Sequence, residues 1–363
     1  MKKKILSIKY IIISTLLITT NASSASNNDI LNKIIFKGDL RLRYQTEKNN
    51  SDNARNRYRL RLRVAGKSEL SEKSKIKFGL ATGSDDPRST NQTFQDTFQT
   101  PDIRLDYAFI THQISKSSRL FSGKMKNPLY RPSDLLWDSD INPDGIAIKF
   151  QNKKNSMNWF FTGGIFILDE ISNNSKDPYL LIFQPGIYWN LKNKIKSRSA
   201  ISFYSSQNLK GKTLAHSANS NTTNSLGLEK EFSAIAISTQ INFYEQFSLP
   251  MISTFGEIVI NTNQSSNNQG GIIGLKFGNK KVNKAKNWQS KISYRYLASD
   301  AWIDAFPDSD SYGGATNIEG LELIIKYGIS KKTWYGFDLY TMNKINGTKN
   351  NQTLIQLDIN TKF

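Results

Sequence analysis

Residues Arg57 to Val64 read RYRLRLRV, with arginine at 57, 59, 61 and 63 and Tyr58, Leu60, Leu62 and Val64 between them. A period of two belongs to a β-strand, whose successive side chains point to opposite faces. Wound as a helix, the same residues would scatter arginine around the circumference and leave no apolar stripe. One face of this strand is therefore basic and the other apolar, and each face needs a different neighbour.

The alternation recurs through the chain. Phe36, Leu40, Leu42 and Tyr44 alternate with Lys37, Asp39, Arg41 and Arg43. Ile76, Phe78 and Leu80 alternate with Lys75, Lys77 and Gly79, and Ile103, Leu105, Tyr107 and Phe109 with Arg104, Asp106 and Ala108. Near the end, Ile355, Leu357, Ile359 and Phe363 face away from Gln356, Asp358 and Asn360. The pattern predicts about sixteen strands, near 36–44, 57–66, 74–83, 102–114, 118–125, 144–151, 157–168, 179–190, 196–206, 232–244, 252–262, 269–278, 287–299, 318–330, 333–343 and 351–363. Most have the length a tilted strand needs to cross a bilayer, roughly 9–11 residues.

The connections sort by length. Those at 45–56, 84–101, 126–143, 207–231 and 300–317 are long, while those at 67–73, 115–117, 152–156, 245–251 and 331–332 are short. Long loops at one end and tight turns at the other describe a transmembrane, antiparallel, up-and-down β-barrel of the outer-membrane type. Tyr44, Tyr58, Trp159, Trp189, Trp288, Trp334 and Phe363 fall near strand ends, where amphipathic rings favour the membrane interface. The apolar face of RYRLRLRV then meets lipid. Its arginine face, with Arg41, Arg43, Lys75, Lys77 and Arg104, forms a basic ladder lining a lumen wide enough for water.

The 363 residues are 38% hydrophobic and contain no cysteine, which excludes disulfide scaffolds and thiolate metal sites. Residues 1–25 have the form of a secretory signal: Lys2, Lys3 and Lys4, then a mostly apolar Ile5–Ile18, then Ser23, Ser24 and Ala25, with cleavage expected after Ala25. The rest, 26–363, is expected to be one barrel domain. The formal charge is +19, and removal of four lysines with the signal leaves +15. Export argues against nucleic acid as the partner of that charge and favours a charged water-filled lumen or an anionic membrane surface.

Gly38–Tyr44 (GDLRLRY), the basic RNRYRLRLRV at 55–64, GKMKNP at 123–128, LLWD at 135–138 and DINPDG at 140–145 resemble bacterial outer-membrane porins, specifically the family known as putative porins. The likeness is densest over 36–150. It implies passive diffusion of small hydrophilic solutes and ions, no cofactor and no substrate chemistry. Phe363 is similar to the C-terminal signal read by barrel-assembly machinery, and sixteen-stranded porins imply a homotrimer. General porins fold their third long loop into the lumen. Here that loop is 126–143, KNPLYRPSDLLWDSDINP, whose Asp134, Asp138 and Asp140, with Asp144 after it, would face the basic ladder across a constriction. Trp137 with Leu135 and Leu136 is expected to dock the loop on the inner wall, and the basic balance favours anions.

Other readings remain open at this stage. Asp138, Asp140, Asn142 and Asp144 alternate like ligands of a calcium loop, but Pro143 and Lys149 stand where glycine and glutamate are required. A plugged barrel acting as an adhesin or anchor would make transport indifferent to the arginines. A barrel hydrolase would depend on His112, for which no serine partner can be singled out.

Overall fold

The computed structural model describes residues 34–50, 52–152, 156–172, 175–192 and 194–363. The signal segment and its cleavage point lie outside them. Sixteen strands form the barrel: β1 (Ile35–Asn49), β2 (Arg55–Glu69), β3 (Ser74–Thr82), β4 (Ile103–Gln113), β5 (Ser118–Lys124), β6 (Asp144–Gln151), β7 (Met157–Ile167), β8 (Tyr179–Lys192), β9 (Ile195–Gln207), β10 (Ser233–Gln246), β11 (Leu249–Asn261), β12 (Gln269–Gly278), β13 (Trp288–Leu297), β14 (Ile318–Gly328), β15 (Thr333–Lys344) and β16 (Asn351–Lys362). Each pairs antiparallel with the next, and β1 pairs with β16 from Asp39↔Lys362 to Asn49↔Gln352, so the sheet closes. Closure leaves no unpaired edge, which a strand structure in lipid requires. All sixteen expected segments are strands.

Burial runs opposite to that of a soluble sandwich. Leu42, Ile146, Ile165, Phe183, Ile237, Ile273 and Leu321 are exposed on the outer face. The buried side of the barrel strands carries Thr162, Gln184, Ser202, Ser238, Ser253, Glu257, Arg295, Glu322 and Gln356. Tyr58, Trp159, Trp189 and Phe363 also project outward.

Two strand ends differ from the sequence expectation. β1 and β2 run on to Asn49 and from Arg55, leaving a connection at 50–54 in place of a long loop at 45–56. Apolar alternation stops at Tyr44, but main-chain pairing does not need it. The Arg57–Glu47 ion pair (2.6 Å) replaces it on the inner face. At the short-turn end, 279–287 is longer than several connections at the opposite end. β8 runs through Pro185. Its pairing with β9 skips Gln184 and Pro185, where the missing N–H cannot donate, and Gln184 Nε2 bridges the gap to Ser202 Oγ at 2.8 Å.

The interior core comes from loops. Trp137, Leu135 and Leu136 of 125–143 pack with Trp302 of 298–317 and with wall residues Phe166, Tyr204 and Phe255. Loop 208–232 joins them through Leu209, Leu214 and Phe232 against Ile303.

Candidate functional site

The alternation of β1 and β2 sets the inner face of the first wall. Register places Arg41 opposite Arg61 and Arg43 opposite Arg59. Like charges directly across a ladder repel, so acids must be close. Arg43 meets Asp358 of β16 through Nε and Nη2, both at 2.7 Å, with Asp310 at 3.6 Å and Asp338 at 3.8 Å. Arg61 binds Asp39 (2.8 Å), and Arg63 binds Asp39 and Asp140. Arg59 donates to Gln45 and to the Asn91 carbonyl, and Arg41 to Asn91. These arginines lie on the inner face of β1 and β2 and are not a bare row facing water. Carboxylates and loop groups cover them, because arginine's fixed fork engages several acceptors at once.

Lys75, Lys77 and Arg104 stand apart from this cluster. Lys75 pairs with Glu69 near the short-turn end, and Lys77 lies over the Phe109 ring. Arg104 donates to Asp102 and the Gly83 carbonyl near the long loops.

The loop acids divide. Asp140 meets the ladder at Arg63 (3.3 Å) and accepts from the Thr90 hydroxyl (2.9 Å). Asp134 crosses to β13, accepting from Arg295 at 2.7 Å with Lys291 at 3.7 Å. The Asp138 carboxylate accepts the backbone N–H of Asp140 and Ser309, while its backbone carbonyl accepts from the Arg131 side chain at 3.1 Å. Asp144 departs from the expectation. It shares the outward face of β6 with Ile146 and pairs with Lys124 at 3.0 Å, because β6 begins there and strand alternation takes over from the loop. Trp137 is buried, its ring stacked on Phe306 at 4.7 Å between centroids.

His112 accepts or donates at Nδ1 to Ser74 Oγ (2.9 Å). Both sit on the side of their strands that carries Ile110 and Ile76, near the short-turn rim. No carboxylate is paired with the ring among the described residues, so this pair lacks the third member of a hydrolase triad.

Sequence reasoning missed the inward fold of 298–317, which was expected only as a long loop. Trp302 and Ile303 are fully buried, Trp302 Nε1 donates to the Leu136 carbonyl (2.6 Å), and Arg295 brings Asp134, Asp308 and Glu322 together. Asp304 accepts from Ser217, Ser220 and Asn221, tying in 208–232. The signal was present in AWIDAF at 301–306, whose apolar residues an exposed loop does not need.

Below the loops lies a cavity of about 620 Å³. Arg41, Arg43, Lys276, Lys280, Lys291 and Lys326 line it together with Asp134, Asp308, Asp310 and Asp338. Charged side chains lining an aqueous passage act on ions according to their sign.

The loop acids differ in their hold on a proton. Burial raises Asp138, and the neighbouring Asp308 and Asp140 add to it. Asp308 is raised by burial and Asp134, against the pull of Arg295. For Asp134 and Asp140 burial is outweighed, by Lys291 and Arg295 in one case and by Arg63, Arg61 and Arg41 in the other, so both sit below the ordinary carboxylate range. A carboxyl raised on docking favours the docked state most below its undocked value and loses that advantage as pH rises through its docked value. Docking is therefore expected to tighten as pH falls from 7 toward about 4, the ordinary carboxylate region. It weakens again only at more acid pH, where Asp134 and Asp140 protonate. Single-channel current noise measured between pH 7 and 4 should fall on acidification; a steady rise over that interval would contradict this assignment.

The sequence matches the family described as "Putative porin" over residues 47–247 and 222–363. No curated protein sequence matches the chain. Among solved structures, OprB of Pseudomonas putida at high pH aligns with a TM-score of 0.60 at 14% identity, covering 93% of this chain and 96% of that one. The low-pH structure of the same protein aligns at 0.54 and 11%, covering 93% and 95%. Vibrio cholerae OmpT with loop L8 deleted aligns at 0.50 and 10%, covering 91% and 100%. These likenesses concern the barrel fold. With the closed sixteen-stranded barrel and the family match both in hand, the chain belongs to the putative porin family of outer-membrane proteins.

Proposed function

We propose that the barrel is a diffusion pore favouring anions, with loop 125–143 and the facing wall forming its constriction. The observation that carries this reading is the imbalance of unpaired charge around the central cavity. Arg43 is held by Asp358, and Lys291 by Glu322. By contrast, Lys276, Lys280 and Lys326 line the cavity and form no ion pair among the described residues. Lys276 lies over Phe255 (4.6 Å) and Lys280 over Tyr244 (5.6 Å), which leaves their charge facing the passage. Selectivity is set by these lysines more than by the tethered arginines of β2.

The remaining parts of the reading follow porin architecture. Phe363, whose ring covers Gly38 at the β1–β16 seam, serves as the C-terminal signal for barrel-assembly machinery. The first 25 residues leave on export, and three barrels associate.

The test is the reversal potential of refolded protein in a planar bilayer under a KCl gradient. A unit charge acts with about 1 kcal/mol at 4 Å in water. The double change Lys276→Gln and Lys326→Gln should therefore cut chloride preference severalfold. Arg59→Ala with Arg61→Ala should change it less. Cation preference in the unaltered protein would overturn the anion reading, and no conductance from a folded barrel would favour a plugged barrel serving as an anchor or adhesin.

A further inference from the structure

A second cavity, of about 580 Å³, opens at the short-turn end of the lumen beside the 114–117 turn. Three of its basic residues come from strands outside the ladder, Arg119 on β5, Lys149 on β6 and Arg198 on β9, and Lys116 of the turn joins them. Among the described residues no aspartate or glutamate lines it. The charges that act on Lys149 are those of Arg198 and Arg119, both of its own sign. The central cavity, by contrast, is lined by Asp134, Asp308, Asp310 and Asp338 as well as by cations.

The arrangement is braced. The Arg198 guanidinium lies over the rings of Tyr130 and Phe160, at 4.2 and 4.5 Å. The Phe160 ring in turn rests on Gly186, where a side chain would collide with it. Tyr130 is fixed from the loop side, donating its hydroxyl to the Arg198 carbonyl (3.0 Å) and its N–H to Gln184 (2.8 Å). Lys149 donates to the Pro128 carbonyl of the same loop, and Arg119 donates Nε and Nη2 to Gln113 at 2.9 and 2.7 Å. Stacking engages the faces of a guanidinium and leaves its N–H edge available. Among the described residues no acceptor takes the Arg198 side-chain donors. A planar donor edge, held still beside two more cations with no counter-charge, matches the geometry of an oxyanion.

We propose that this mouth is a binding site for small oxyanions, distinct from the central cavity, in which Arg198, Lys149 and Arg119 receive a carboxylate or phosphate group. Tyr188 lines both cavities, so an anion leaving this site passes the Tyr188 hydroxyl and enters the field of Lys276 and Lys326. Passage through the site rests on the pore reading; binding to it does not. The ligand carries its charge on oxygen and is small enough for the cavity. Inorganic phosphate and short organic carboxylates share that chemistry.

The experiment titrates the full-length folded barrel in detergent with inorganic phosphate and with succinate, by calorimetry at constant low ionic strength. One saturable event is expected for at least one of the two, and the anion that binds identifies the source of the oxygen group. A hydrogen-bonded charge pair lost from such a site weakens binding roughly tenfold or more. Arg198→Gln should show that loss, Arg198→Lys part of it, and the double change Lys276→Gln and Lys326→Gln none. Mobility of unheated protein on a denaturing gel establishes that each variant is folded. Absence of saturable binding for both anions, or binding indifferent to Arg198→Gln, overturns the site. KCl conductance recorded in parallel separates the two readings. Steady conductance without binding keeps the pore and removes the site; binding without conductance does the reverse.

Discussion

Replacing Arg295 with Met is expected to release loops 125–143 and 298–317 from the wall while leaving the barrel closed. Arg295 is almost fully buried and stands among Asp134, Asp308 and Glu322. Removing one partner from a buried charge cluster leaves the others uncompensated, at a cost of about 3–5 kcal/mol. The strands do not bear that cost directly, because their main-chain pairing runs around the whole ring. It falls on the two loops, which meet at this guanidinium. The folded variant in detergent should be cut by added protease within 125–143 or 298–317 under conditions where the parent chain resists. Reversal potential should also move toward cations, since Asp134 and Glu322 keep their charge. Unchanged protection and selectivity would show that Lys291 and the aromatic contacts suffice.

Trp137→Ala tests the apolar half of the same anchorage. The Trp137 ring stacks on Phe306 and meets Trp302 at 5.9 Å, Phe166 at 6.4 Å and Tyr204 at 6.5 Å. Truncating a buried tryptophan costs about 3–5 kcal/mol. Here the loss separates the loops from one another as well as from the wall. Single-channel conductance should rise with larger current noise, while selectivity changes less than for Arg295→Met because no charge is removed. Trp159→Ala, on the lipid-facing side of β7, should leave conductance unaltered. Equal conductance in the Trp137 variant and its parent would mean that the loop does not narrow the passage.

The positions of the strands were legible because lipid imposes a simple rule. Apolar residues such as Leu40, Leu42, Ile146 and Ile165 must alternate with whatever lines the interior, and that period survives in the sequence. Strand ends were less legible. Gln45 to Lys48 carry no apolar signal, yet they stay in the sheet, where Glu47 and Gln352 hydrogen-bond across the seam at 2.8 Å. The inward dock of 125–143 could be read from Leu135, Leu136 and Trp137, since three large apolar side chains need cover. The same reasoning applied to Trp302 and Ile303 would have revealed the second inward loop.

Partners were not legible. Asp134 and Asp140 lie six residues apart, yet one binds β13 and the other β2, on different parts of the wall. Arg198, Lys149 and Arg119 are separated by tens of residues and carry no shared motif. By itself, then, the sequence determined which segments cross the membrane as strands and which of their faces is apolar, because alternation is a property of each strand alone. Only the tertiary structure decided which charges are neutralised and which stay free, because closure of the ring and the docking of loops bring together groups from distant parts of the chain.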